Sequence, residues 1–393
     1  MKILYLNHNI KGEGTYFRAF NFAKQIVKFG HNVTLITLSP EKLFTSVSYV
    51  EDGVRIIEAP KFLDRTRGGW GPADIIYRTK HCVFNKYDLI HTFAHKPTVY
   101  FPLLKAKFFH KKTIHFADWD DWWGKGGINS EYRATPETMI EEFLEEYIIK
   151  KSDYVTTASL ALKKRTTDLK ISQEKIFHIP SGADIEKIKP LSKNKILNLK
   201  RKFKIDKNKT ILGFVGFGQA DLGIIIDGFA LVRKRREDVI LLIVGPLEKR
   251  WDKKINDHPF KNDILITGKV KPDLIPELIS IIDICYLPLK DTPANRGRNP
   301  IKVGDYMAAG KPILANPVGD VTELIKKHKI GMTMEYSPDD VAKKSLFLLS
   351  RPGLVKQMGY NARKTAEKHF NWKIFSKELN EKYNRAFEII SKS

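Results

Sequence analysis

A helix start crowded with cations, with a carboxylate one turn further on, can hold a phosphate joined to a sugar. Residues 295–323, NRGRNPIKVGDYMAAGKPILANPVGDVTE, have that form. Asn299 suits an N-cap, Pro300 suits the first helical turn, and Gly310 with Lys311-Pro312 ends the helix. The free N–H groups and positive dipole end then face whatever lies before Asn299, and Arg296, Arg298 and Lys302 crowd that end with cations. Lys302 and Asp305 are three residues apart and share one face. The ammonium suits a phosphate, and the carboxylate can accept from ribose hydroxyls. The same spacing fits a surface helix carrying one ion pair.

Asp305-Tyr-Met-Ala-Ala-Gly-Lys-Pro312 resembles the donor-nucleotide motif of glycosyltransferase family 4, retaining enzymes of the GT-B fold, with Asp in place of the usual Glu. The resemblance extends over nearly the whole chain. It implies an α/β protein of two Rossmann-like domains, their parallel sheets facing an interdomain cleft. The expected domains are 1–189 and 190–368, with a helix at 369–393 packing back on the first. It also implies a nucleotide-sugar donor, a glycan or lipid-linked acceptor, and catalysis without cofactor or metal. Donor contacts are expected from Gly14, Gly216, Gly218, Val270, Arg298, Lys302 and Asp305. Catalytic roles fall to Lys302 and to His115 or Asp118, near the end of a strand that runs into Asp118-Trp-Asp-Asp-Trp-Trp-Gly124. Arg18, Trp119 and Trp122 are the acceptor-side candidates. Arg18 could also be a solvated surface residue, and the tryptophans could pack beneath a loop. Asp118-x-Asp120 looks like a metal motif, but the phosphate signals lie near residue 300. Two departures stand out. Gly297 replaces a second Glu common in the family, and the loop after Gly216 lacks the Arg and Lys that grip the diphosphate. Arg298 and Lys302 are expected to supply that charge. An epimerase on the same architecture, or a non-catalytic binder of anionic glycan or lipid, remains an alternative.

The elements that must position these residues alternate strand and helix. An apolar strand at 2–7, the glycines at 12–14 and a helix near 15–29 leading to a strand at 33–37 make a βαβ unit, hence a parallel sheet. Phe17 occupies the third glycine position of a dinucleotide fingerprint, so NAD is weakly supported. Residues 61–80 read as an irregular insertion, 190–208 as a Lys-rich linker, and Asp320 with Glu323 as a capping box. The helix from Pro136 reads as acidic on its exposed side, through Glu141, Glu142, Glu145 and Glu146.

The chain has 393 residues, 42% hydrophobic and 11% aromatic, enough for two cores. Its 68 basic and 45 acidic residues give a net charge of +23. That charge attracts polyanions, yet no zinc spacing or RNP-like run points to nucleic acid. Lys105 to Lys112, with Phe108 and Phe109 between, suits an anionic membrane surface or a helix end with two core phenylalanines. Two distant cysteines, an N-terminus that reads as a strand, and no apolar run of about 20 residues suggest a cytoplasmic protein, with peripheral attachment to the inner membrane face as an option.

Overall fold

The computed structural model describes residues 1–64, 68–132, 136–216 and 221–392. The chain forms two compact units. Unit 1 comprises Met1–Ser181, Arg296–Asn299 and Trp372–Ser393; unit 2 comprises Gly182–Asn295 and Pro300–Asn371.

Unit 1 is built on eight strands: β1 (Lys2–Ile10), β2 (Asn32–Leu38), β3 (Val47–Glu51), β4 (Val54–Ala59), β5 (Leu89–Phe93), β6 (Ile114–Trp119), β7 (Tyr154–Thr157) and β8 (Ile176–His178). Their order is β3-β4-β2-β1-β5-β6-β7-β8. Apart from the antiparallel β3–β4 hairpin, which turns at Asp52-Gly53, the pairs are parallel. β5 and β6 are buried at every position, as strands covered on both faces must be. The helix Trp372–Ser391 supplies Trp372, Leu379 and Tyr383 to this unit's core. Tyr383 Oη lies 3.0 Å from Tyr5 Oη and 2.5 Å from His91 Nδ1.

Unit 2 carries β9 (Thr210–Val215), β10 (Val239–Val244), β11 (Ile264–Ile266), β12 (Ile284–Leu287), β13 (Ile313–Ala315) and β14 (Gly331–Thr333). They form an all-parallel sheet in the order β11-β10-β9-β12-β13-β14. One face packs on Val303, Tyr306 and Met307 of the helix Ile301–Ala308, the other on Phe229 and Val341.

Three expectations change. Residues 61–80 are not all irregular: Pro72–Phe84 is a helix, with a buried Asp74–Arg78 pair at 2.5 Å whose guanidinium also donates to Asn7 O. Arg65, Thr66 and Arg67 lie outside the described residues. Residues 190–208 contain the helix Lys193–Lys202 rather than a bare linker. The first boundary falls between Ser181 and Gly182, earlier than 189, because Arg363 of unit 2 donates to the carbonyls of Ile185, Ile188 and Ala308.

Leu379 is fully buried in unit 1, whereas Ile389 on the same helix is 52% exposed. Leu379→Ala should cost about 2–5 kcal/mol in denaturant unfolding and Ile389→Ala less than about 0.5. Equal losses would mean that the helix is not an integral wall of the core.

Candidate functional site

In unit 2 the C-terminal ends of three parallel strands present bare main chain. Gly216 follows β9 at φ +148°, and Gly245 follows β10 at φ +129°, conformations that L side chains rarely adopt. A Cβ on Gly245 would strike the carbonyl of Gly216. Gly268, just past β11, bridges to Gly245. The space a Cβ on Gly216 would need is taken by the Lys302 ammonium, which sits 4.3 Å from the centre of the Phe214 ring. Tyr306 fixes that arrangement, since its hydroxyl accepts from Val215 N–H at 2.9 Å and ties the helix to β9. A cation beside uncovered backbone is a setting for a phosphate.

Asp305, one turn after Lys302, is half-buried. Burial and the neighbouring Asp184 carboxylate push it up to about 7, against the pull of Lys302 and Lys187. Val270 follows Gly268 by two residues and packs its side chain on the unit 2 core. Gly218 lies outside the described residues. Asn299 does not cap the helix. The cap position is Pro300, without a side-chain bond, and Asn299 Oδ1 instead accepts from Ser181 N–H at 2.8 Å in unit 1. Arg298 belongs to unit 1 as well, its Nε 3.8 Å from Asp121 Oδ1. The helix Asp320–His328 begins after Gly319, so Asp320 and Glu323 both sit in its first turn rather than forming a capping box.

In unit 1 several expected site residues prove to be internal. Arg18 and Asp118 form a buried two-pronged ion pair, with both N···O distances 2.8 Å. Asp118 also accepts from Thr156, and Arg18 donates to Ile179 O and Ser181 Oγ. Burial would raise Asp118, yet the Arg18 guanidinium holds it below the usual carboxylate range. His115 is the second residue of β6 rather than its last, and is buried against Thr92 at 3.1 Å. Desolvation keeps it well below its ordinary pKa. Trp119 is fully buried and donates to Glu145 at 2.8 Å. Trp122 is half-buried, with the Arg165 guanidinium 4.4 Å from its ring centre.

Besides the expected Gly14, the groups that reach the strand ends here are ones the sequence reading did not single out as site residues. Gly14, at φ +54°, sits against the Asn9 side chain, whose Oδ1 accepts from Thr15 N–H. Thr15 Oγ1 in turn donates to Asp120 at 2.6 Å. Burial, Asp121 and Asp118 push Asp120 up to about 8. Nearby, His8 Nδ1 and His95 Nε2 are buried without a hydrogen-bond partner. Both line a cavity of about 10 Å³ with Lys96, Trp123 and Glu141, room for one water or one hydroxyl oxygen. Burial lowers His95 to about 4, leaving it neutral at physiological pH.

The helix Pro136–Lys151 shapes this loop, and it is turned opposite to expectation. Glu141 and Glu145 face inward. Glu145 accepts from Trp119 Nε1, Trp123 N–H and Gly124 N–H, while Glu141 accepts from Lys96 and Trp70. Met139, Ile140 and Phe143 face outward, at 73%, 47% and 63% exposure. Among the described residues, no group of three or more His, Cys, Asp or Glu is placed to hold a metal ion.

Two family profiles match the chain, one described as Glycosyltransferase Family 4 over residues 14–187 and one as Glycosyl transferases group 1 over 195–365. An uncharacterized glycosyltransferase of Methanocaldococcus jannaschii is 28% identical over 73% of this chain and 71% of its own length. A Bacillus subtilis protein, named as a proposed teichuronic acid biosynthesis glycosyltransferase, is 26% identical over 58% of this chain and 56% of its own length. Anabaena HepE, solved in complex with UDP and glucose, superposes with a TM-score of 0.75 at 18% identity, covering 98% of this chain and 100% of that one. The shared fold is GT-B.

Because Asp120 is raised from 3.8 to about 8, the fold favours its neutral form. Its contribution is complete below the unfolded pKa and is lost as pH rises through about 8. Asp120→Asn, permanently neutral, should therefore gain melting temperature over wild type, by more at pH 9 than at pH 5. An equal margin at both would show that Asp120 ionises normally.

Proposed function

Since the chain belongs to glycosyltransferase family 4, we propose that it moves a sugar from a nucleotide-sugar donor to a glycan or lipid-linked acceptor with retention of configuration. The observation that carries this reading is the Lys302 ammonium against Gly216, with Asp305 one turn along the same helix. The diphosphate would lie over the main chain at Gly216 and Gly245, and the ribose hydroxyls would donate to Asp305. The acceptor oxygen attacks the face from which the diphosphate leaves, and the departing phosphate oxygen takes its proton. The protein's task is then to stabilise charge growing on that phosphate, and Lys302 does so without a metal ion. The UDP and glucose complex of HepE supports the donor class.

On the acceptor side, Asp120 replaces Asp118 as the working carboxyl, since Asp118 is committed to Arg18. Neutral His95 replaces His115 as the imidazole within reach of a hydroxyl. A lipid-linked acceptor is supported by an apolar surface on unit 1. Phe101, Leu104, Phe108 and Phe109 of the helix Pro97–Phe109 are exposed, so the two phenylalanines are not core residues. Ring contacts from Phe101 through Tyr100 and Tyr147 to Phe143 join them to the outward face of Pro136–Lys151. Lys105, Lys111, Lys112 and Lys150 are exposed on the same elements or next to them. Apolar rings rimmed by lysines suit an anionic bilayer, and no helix among the described residues is long and apolar enough to cross one.

Lys302→Ala removes a charge-assisted bond to phosphate and should cost about 1.5–3 kcal/mol, one to two decades in nucleotide-sugar affinity, with slower transfer. Asp305→Asn should weaken donor binding at pH 8 without lowering the melting temperature, because the change relieves a carboxylate that the fold disfavours. Wild-type affinity and turnover in both variants would remove residues 295–312 from the donor site.

Phosphatidylglycerol vesicles should bind the protein more tightly than phosphatidylcholine, less so as salt rises, because screening shortens to about 8 Å at physiological strength. Phe108→Ser with Phe143→Ser should weaken that binding roughly tenfold or more. Indifference to both headgroup and variant would dismiss the membrane.

A further inference from the structure

Unit 2 carries a second basic site at the other end of its sheet. The helix Asp320–His328 leaves β13 and returns to β14, so its C-terminal end lies beside the strands' N-terminal ends, away from Gly216. There Lys327, His328 and Lys329 meet Asn361, Lys364, Thr365, Lys368 and His369 of the helix Pro352–His369, around an open pocket of about 240 Å³. The two imidazole rings are 5.6 Å apart, and Asn361 Nδ2 donates to Lys329 O at 3.1 Å, holding the two walls together. Among the described residues, no carboxylate lines the pocket. Three other lysines of unit 2 do sit against acids, in Lys187–Asp273, Lys202–Glu277 and, on the same helix, Lys326–Glu323.

Helix C-termini attract cations, which is the simplest reason for lysines here. The magnitude falls short. Two helix ends present about half a negative charge each, against four lysines, so an excess of roughly three positive charges remains. Burial, with Lys327 and His369 behind it, also depresses the pKa of His328, which keeps its ring neutral beside the lysines.

We propose that this pocket binds a small, multiply charged phosphate anion. Pockets for drug-sized ligands run from about 300 to 1,000 Å³, so this one suits a group smaller than a nucleotide. A free oligophosphate and a phosphorylated headgroup share that chemistry: several oxyanion oxygens for the four ammonium groups, with Asn361 and an imidazole as neutral partners. The site is separate from the donor reading and does not depend on it.

The test uses the full chain carrying Lys302→Ala, which silences the other phosphate site, and titrates sodium tripolyphosphate by calorimetry. A second arm uses phosphatidic acid vesicles with Phe108→Ser and Phe143→Ser added. Lys327→Ala and Lys364→Ala, both at exposed positions, should leave the melting temperature unchanged and each weaken binding roughly tenfold. Loss in the first arm identifies a free phosphate, and loss in the second a headgroup. If the pocket variants match their parents in both arms, or neither probe binds, the proposal is overturned. A failure of Lys302→Ala to affect nucleotide-sugar affinity would sink the donor reading and leave this result standing.

Discussion

Arg18 is a charge that unit 1 cannot leave unpaired. It rises from the helix after β1, grips Asp118 on β6, and reaches Ile179 O and Ser181 Oγ just beyond β8. One guanidinium thus holds three parts of the sheet in register, and an uncompensated partner would cost about 3–5 kcal/mol. The pair also commits Asp118 to the interior. With Asp118 neutralised and internal, the next carboxyl along, Asp120, lies past the strand end and meets the glycine loop through Thr15.

A similar division of labour appears in unit 2. Tyr306 spends its hydroxyl on the backbone of β9 and so fixes the helix that carries Lys302. Tyr306, which anchors the helix, and Lys302, which faces Gly216, are four positions apart and share one helix face. The ammonium is thus held beside the glycine backbone by the fold itself.

Local signals were legible and long-range ones were not. The apolar runs at 2–7 and 33–37 announced β1 and β2, and Gly310 with Lys311-Pro312 marked where the helix Ile301–Ala308 stops. The Asp52-Gly53 hairpin carried a readable turn signal in a stretch to which no element was assigned. Asp118 and Asp120 look alike in a string of letters. What separates them is Arg18, a hundred residues away. The helix Pro136–Lys151 misled for the same reason: carboxylates normally face water, but here indole and backbone N–H groups of a preceding loop draw Glu145 inward and leave phenylalanine outside. His115 lies deeper than expected because the strand continues four residues beyond it. Asn299 failed because a more distant donor, Ser181 N–H, claimed its side chain.

The floor formed by Gly216, Gly245 and Gly268 has a consequence for how such a protein can change over generations. A surface made of side chains can be reshaped in either direction, by trimming or by adding. One made of peptide groups has nothing to trim, and at Gly216 and Gly245 any added carbon meets Lys302 or a carbonyl. Inheritance can obstruct that floor but cannot remodel it. Variation in the shape of this end of unit 2 has to arise from the surrounding loops, while the peptide floor itself stays the same.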